Sequence, residues 1–477
     1  MVSRRRLVRI LQLGVFKLYT GSRCIIVVAV ALSCRGVFIW HVYKRLSNNF
    51  PMYQLINRLP FFYGWSILFA TGSSMVVRNA AASLTLAVFI FPMSEDLGWS
   101  RTLIAGAASF GGLMAMVASP TTGWALDRYG ARVILTVSVI TLGFSTMSLA
   151  WATAPVAFYL AYGAGRVLFA SPLNIGCSVI VSRWFVRKRG RATGILFMSH
   201  SLGMITFPLL AGVMISYRGW QDAWIVMGLL VFVLALGPVS MLVRQSPESV
   251  GLLPDGDEPG QQEEGETASP ATEEVNWTLR EAMRTPTLWL LAISTGSLYL
   301  LQSGTNIHQA AFFLDQGLGV GVSAASISLN AIFTGLGSLF WGWVVDRVPV
   351  RYTYAGVALM MSGALVMFTM ADTAIEALVV ASIFGSAVGG ILVVPVVAYA
   401  NYFGRGSLST IRGVTEPLVS LGQAIGGLFS GIVYDVTGRY RDAFIVLAIV
   451  GAATIALLLS TRAPIKPPVP IEVESGS

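Results

Sequence analysis

Gly123-Trp-Ala-Leu-Asp127-Arg128-Tyr-Gly130-Ala-Arg132 lies between two long apolar runs. About two hundred residues later a degraded copy, Gly342-Trp-Val-Val-Asp346-Arg347-Val-Pro-Val-Arg351, occupies the same setting. A charged turn repeated at one place in two halves of an apolar chain reads as a duplicated membrane protein. An Asp-Arg pair at a helix end can hold a neighbouring helix end and release it, which suits a gate. Gly123, Asp127, Arg128, Gly130 and Arg132 are therefore the expected gating residues. Asp346 and Arg347 form a weaker second clamp, because Val348-Pro349 stands where the glycine turn would be. The bland alternative is topological: the positive charge merely keeps the loop on the inner side.

Composition agrees with a membrane protein. The 477 residues are 55% hydrophobic and 12% charged, with a mean hydropathy of +0.70. Soluble domains carry about 25% charged residues, so most of this chain contacts lipid or other apolar helices. The net charge of +9 comes from the leader: residues 1–60 hold ten basic residues and no acid. The remaining 22 basic and 23 acidic residues leave −1, which gives a nucleic-acid partner no support. Cys24, Cys34 and Cys177 have no disulfide or zinc spacing. The sequence holds no Gly-rich phosphate loop, metal-ligand cluster or Ser/His/Asp arrangement. No enzyme, catalytic residue, cofactor or metal is expected.

From Phe61 onward twelve apolar spans follow, at 61–92, 102–126, 133–151, 155–182, 191–215, 221–243, 288–314, 323–345, 353–371, 374–400, 413–434 and 442–461. A spanning helix needs about 20 apolar residues, and lipid admits only helices or closed barrels. These runs do not alternate in polarity, so they read as helices. The expected organisation is a basic leader (1–60), a six-helix bundle (61–243), an acidic disordered linker (244–287), a second six-helix bundle (288–461) and a tail (462–477). A short surface helix is expected over Trp277 to Met283. The leader reads as a mis-called start before Met52, a tail touching anionic lipid or a targeting peptide. Arg128, Arg132, Arg183, Arg187, Lys188, Arg189, Arg191, Arg347, Arg351, Arg405 and Arg412 fall in one set of loops and mark it as cytoplasmic. An even span count then puts both termini inside, in a multi-pass plasma (inner) membrane protein.

The Gly123 to Arg132 motif resembles the signature loop of the major facilitator superfamily. Tyr63-Gly-Trp65, Leu97-Gly98-Trp99-Ser100-Arg101, Trp184-Phe185 with Arg187-Lys-Arg-Gly190, and Gly431-Ile-Val-Tyr-Asp435 are similar to its monocarboxylate-transporter-like and oxalate/formate-antiporter-like bacterial branch. The resemblance implies an all-α membrane protein, with twelve transmembrane helices in two six-helix pseudo-repeat bundles. It also implies a cavity lined by helices one, four, seven and ten, and alternating access by rocking of the halves. One departure stands out. Many members of the branch carry a carboxylate-binding basic residue in helix eight, where this chain has only Asn330 before Asp346.

A charge inside a span costs roughly 2.5–3.5 kcal/mol, so each one needs a partner or water. Arg78 in helix one and Arg166 in helix four have no intramembrane acid in the first half to pair with. Unpaired guanidinium groups attract anions and hold carboxylates bidentately. The structural alternative is a bond to a helix carbonyl. Asn79, Asn174, Gln302, Asn306, Asn330 and Tyr399 are candidate substrate contacts, or equally bonds between helices. His200 and His308 are candidate proton-coupling groups. Glu416 reads as the opening turn of helix eleven, with a gate, capping or coupling role.

These residues point to a secondary transporter of a small organic anion, a monocarboxylate or short dicarboxylate, driven by a proton or counter-anion. It would work as a monomer in contact with membrane lipid. The alternative is an exporter of drugs or metabolites. A ligand sensor would need an output domain that the short tail and linker do not supply.

Overall fold

The computed structural model describes residues 60–257 and 276–466 in full, and the backbone of two strands near the start. The chain divides into two compact units, Met1–Arg58 and Leu59–Ser477. In the first, β1 (Val15–Thr20) and β2 (Arg23–Val28) pair antiparallel, with Thr20 opposite Arg23. Sequence reading expected no strand there. Met52 and the rest of the leader lie outside the described residues.

The second unit is helical. Its rods are α1 (Gly64–Leu97), α2 (Arg101–Tyr129), α3 (Ala131–Trp151), α4 (Pro155–Trp184) and a 54-residue stretch, Arg189–Leu242. Gly219, at φ 85°, bends that stretch into α5 (189–218) and α6 (220–242). Then come α7 (Pro286–Asn306), α8 (Gly319–Val345), α9 (Val350–Phe368), α10 (Ala374–Phe403), α11 (Leu408–Thr437) and α12 (Tyr440–Ser460). Every expected span is thus a helix among the described residues.

Local chemistry sets the ends. Gly98, at φ 65°, stops α1 in the left-handed conformation, and the Ser100 hydroxyl then accepts the Leu103 N–H at 3.2 Å to start α2. Thr373 and Glu376 form a reciprocal capping box on α10. Thr278 and Glu281 do the same for the surface helix Leu279–Met283.

Three boundaries differ from the sequence reading, each with a consequence. Asp127 and Arg128 belong to the last turn of α2, and the link to α3 is Gly130 alone, at φ 84°. α11 begins at Leu408, five residues before the apolar run. Arg412, counted as a loop residue, is therefore inside the helix and 7% exposed. Glu416 sits in the third turn of α11 instead of opening it. Finally, the acidic linker is ordered at its start. Residues 244–257 fold back, and Asp255 accepts the N–H groups of Val186 and Arg187 at 2.9 and 2.8 Å. Residues 258–275 lie outside the described residues.

Candidate substrate site and gate

Two helices break at the same depth. α1 is interrupted by the 3-10 turn Arg78–Ala81, after which Ala82 is extended. α4 is interrupted at Ser171 (φ −105°, ψ −86°), followed by Pro172, which has no N–H to give. Broken turns leave carbonyls without helical partners, and buried carbonyls need donors. Each break takes the arginine of the other helix. Arg78 Nη1 donates to the Phe169 carbonyl at 3.1 Å, and Arg166 Nη1 reaches the Ala81 carbonyl at 3.5 Å.

Both guanidinium groups also lie on one ring. Arg78 is 4.5 Å and Arg166 4.7 Å from the centre of Phe169. The negative ring face offsets part of the cost of two adjacent cations. Among the described residues neither arginine forms an ion pair, and the Nε of each is buried without a hydrogen-bond partner.

The second half faces this cluster with a charged group of its own. A narrow cavity of about 20 Å³ is lined by Asn174, Phe197, Thr295, Tyr299, Tyr399, Arg412, Thr415 and Glu416, with apolar residues of α10. Glu416 lies 3.6 Å from Arg412 and accepts from Asn174 Nδ2 at 3.2 Å. Arg412 also donates to the Ser178 hydroxyl. Arg78 lies within electrostatic range of Tyr299 and Glu416. The middle of the bundle therefore holds three guanidinium groups against one carboxylate. Arg412, Tyr299 and Thr415 were missed by sequence reading. The misplaced start of α11 hid the first, and neutral polar residues in an apolar run carry no signal for the other two.

The other expected site residues divide. Asn174 and Tyr399 line the cavity. Asn79 is fully buried between α1 and α5, where its amide donates to Met75, Val76 and His200. His200 is buried beside Phe169, with its ring 6.1 Å away. Asn330 donates to Asn306 Oδ1 and Gln309 Oε1 at 2.9 and 2.8 Å, which ties α8 to α7 and to the short helix Gln309–Asp315. Gln302 is half-buried on α7. His308 bonds the Gly427 carbonyl at 2.9 Å and packs on Tyr440, away from the arginines.

The expected gating residues sit at one end of the molecule, the end rich in arginine. Asp127 pairs with Arg183 at 2.8 Å. It also accepts the Thr410 N–H at 2.9 Å and hydroxyl at 2.6 Å, in the first turn of α11. Asp346, at the end of α8, accepts the N–H groups of Gly190 and Arg191 at 2.6 and 3.0 Å, in the first turn of α5. Each half thus places a carboxylate on a helix N-terminus of the other, where the helix dipole and free N–H groups favour negative charge. Glycines permit the approach. A methyl group on Gly123 would overlap the Ser409 carbonyl, and one on Gly190 the Gly342 carbonyl. Burial pushes the Asp346 carboxyl up from its ordinary value, partly offset by the two N–H groups and by Arg191.

Arg128 and Arg347 do not share in these clamps. Arg128 is exposed, with no ion pair among the described residues. Its expected role falls to Arg183. Arg347 lies 4.1 Å over the Trp343 ring and donates to that residue's own carbonyl. Arg132 joins α3 to the end of α6 through the Ser240 carbonyl at 2.8 Å. Among the described residues, hydrogen bonds between the two halves run from Asn174–Glu416 to the arginine-rich end, and none lies beyond it. The molecule is closed at that end.

Two helical halves, clamped end to end by a repeated Gly-Asp pair around a polar centre, match one known architecture over residues 67–416 and 312–476. The chain belongs to the Major Facilitator Superfamily. It is a multi-pass membrane protein of that superfamily. It is 26% identical over 291 residues to a probable hexose phosphate transport protein of Chlamydia pneumoniae, covering 58% of this chain and 64% of that one. It is 24% identical over 266 residues to the oxalate:formate antiporter of Oxalobacter formigenes, covering 54% and 57%. Both matches thus span less than two thirds of the relative. Monocarboxylate transporter 13 of Bos taurus is 26% identical over 398 residues, covering 80% of this chain and 86% of that one. Among solved structures, the human organic anion transporter MFSD10 shares the fold with a TM-score of 0.64 at 13% identity, covering 84% and 100%. The E. coli fucose:proton symporter does so with a TM-score of 0.59 at 12% identity, covering 82% and 97%.

Proposed function

We propose that this superfamily member is a secondary active transporter of a small organic anion, a monocarboxylate or short dicarboxylate. The observation that carries this reading is the excess of positive charge at mid-depth. Arg78 and Arg166, on Phe169, and Arg412, beside the cavity, share the middle of the bundle with one carboxylate, Glu416, which Arg412 already holds. A buried charge excess of this kind is costly unless an anion completes it. Several of the relatives' names, among them oxalate:formate, monocarboxylate and cis,cis-muconate transport, describe anions. A cationic drug would need a free acid in the cavity, and Glu416 is bonded on both sides.

Transport proceeds by alternating access in this reading. The anion enters from the end opposite the clamps and lies against the Arg78–Phe169–Arg166 cluster on one side and the Arg412 side of the cavity on the other. Its negative charge satisfies the buried Nε groups. Parting of the Asp127–α11 and Asp346–α5 clamps then opens the arginine-rich end, taken as cytoplasmic by its excess of basic residues. A proton or counter-anion drives the cycle. Glu416 is the group best placed to carry a proton, because losing its charge frees Arg412. His200 is a second candidate, through its contact with Asn79 beside Arg78.

Proteoliposome uptake of labelled oxalate, formate and cis,cis-muconate tests the site. Arg166→Gln and Arg78→Gln should each lower uptake at least about tenfold, since one charge-assisted hydrogen bond contributes roughly 1.5–3 kcal/mol. Uptake that survives in both variants, with the wild type active on the same solutes, would overturn the anion site.

A further inference from the structure

Between the arginine-rich ends of α8, α9, α10 and α12 lies an open surface pocket of about 680 Å³, distinct from the cavity above. Arg347, Arg351, Arg462, Asn401 and Tyr402 line it. Asp346 borders it too, but its carboxylate is turned to the N–H groups of Gly190 and Arg191. Among the described residues, none of the three arginines forms an ion pair. Three arginines therefore border one hollow whose lining holds one acid, Asp346, which is already committed to those N–H groups and lies near Arg347 and Arg191.

The neighbouring surface gives the depth. Arg347 lies over Trp343 and Arg351 over Tyr352, at 4.1 and 4.5 Å from the ring centres, and both rings are 48% exposed. Exposed Trp and Tyr at helix ends mark the headgroup level of a bilayer. Phe340, 53% exposed one turn before Trp343 on α8, continues an apolar surface from the pocket toward mid-membrane. A free anion has no use for that surface, whereas an acyl chain does.

We infer that this pocket binds the phosphate of an anionic glycerophospholipid, with its acyl chains along α8. Guanidinium forks match phosphate oxygens bidentately, and basic pockets between helix ends at a membrane face take anionic headgroups. The site does not depend on what the central cavity transports.

Native mass spectrometry of the full chain, released from micelles doped with equal dioleoylphosphatidylglycerol and dioleoylphosphatidylcholine, tests it. The wild type should retain the glycerol lipid preferentially. The triple variant Arg347→Gln, Arg351→Gln, Arg462→Gln should reduce that preference on the order of tenfold. A control triple at the opposite end, Arg218→Gln, Arg439→Gln, Arg441→Gln, should leave it unchanged. If the first triple fails to fold, Arg462→Gln alone, beyond the last helix, should still reduce the preference by roughly threefold. Absence of a preference in the wild type, or an equal loss in the control, would overturn the site. So would displacement of the lipid by millimolar inorganic phosphate, since that marks a free-anion site.

Discussion

Phe169 does for two arginines what a carboxylate does in most buried ion pairs, but without cancelling their charge. Its ring lies 4.5 and 4.7 Å from the two guanidinium groups, and its carbonyl takes one of them. On the proposed function, a carboxylate there would compete with the anionic substrate, and the ring would not. Phe169→Leu should therefore raise KM for the transported anion about tenfold while leaving the amount of folded protein unchanged. Phe169→Trp should restore most of the affinity, since cation–π contacts contribute about 0.5–2 kcal/mol each and Trp is the strongest partner. Concentration-dependent uptake in proteoliposomes measures both variants. Equal KM values for the Phe169→Leu variant and the wild type would assign the ring to packing alone. The arginines themselves were legible in the sequence as charges inside apolar runs. The ring was not, because a phenylalanine in a membrane span is ordinary until its neighbours are known.

At the level of helices, the clamps reduce to a carboxylate on a helix N-terminus, made twice. Asp127→Asn removes the charge that Arg183 and the Thr410 N–H both use. It should raise the labelling rate of a cysteine placed at Ser409, in the first turn of α11, about tenfold, as the clamp opens more often. Gly123→Val should do the same by sterics, because the Ser409 carbonyl leaves no room for a side chain. Asp346 adds a pH dependence. Burial raises its carboxyl above the ordinary 3.8 in the clamped state, and release to water returns it to the ordinary value. The clamped state therefore binds a proton more tightly. Lowering the pH through the raised value favours the clamped state, and raising it favours release. Labelling of a cysteine placed at Ala192, on α5, should slow as pH falls within that window, and Asp346→Asn should make the rate insensitive to pH there. The glycine and aspartate of this device are written plainly in the sequence. Their partners Arg183 and Thr410 are not, since nothing local ties the end of α4 or the start of α11 to the end of α2.

For the whole molecule, the bonds between halves among the described residues are confined to one side of the polar centre, so in the proposed cycle opening one end and closing the other is a single rocking motion. Spin labels at Arg128 and Tyr352 report the arginine-rich end, and labels at Arg101 and Gly321 report the other. In the double variant Gly123→Val, Asp127→Asn the first distance should lengthen and the second should shorten. Distances that lengthen at both ends would indicate loosening of the bundle instead of alternating access.

Sequence alone determined that the chain crosses the membrane many times, that it is helical, and that it carries a repeated glycine–aspartate device and two arginines where lipid forbids free charge. These properties follow from hydropathy and from the cost of burying charge, which act residue by residue along the chain. Tertiary structure decided the rest. It set the start of α11 five residues earlier, because Asp127 from the other half accepts the Thr410 N–H in its first turn. That moved Arg412 from a loop, and Glu416 from the opening turn of the helix, to the centre of the bundle. It also brought the breaks in α1 and α4 to one depth, so that each arginine meets the other helix's freed carbonyl. Such pairings join residues from 85 to 283 positions apart, and only the packing of helices against one another can bring them together.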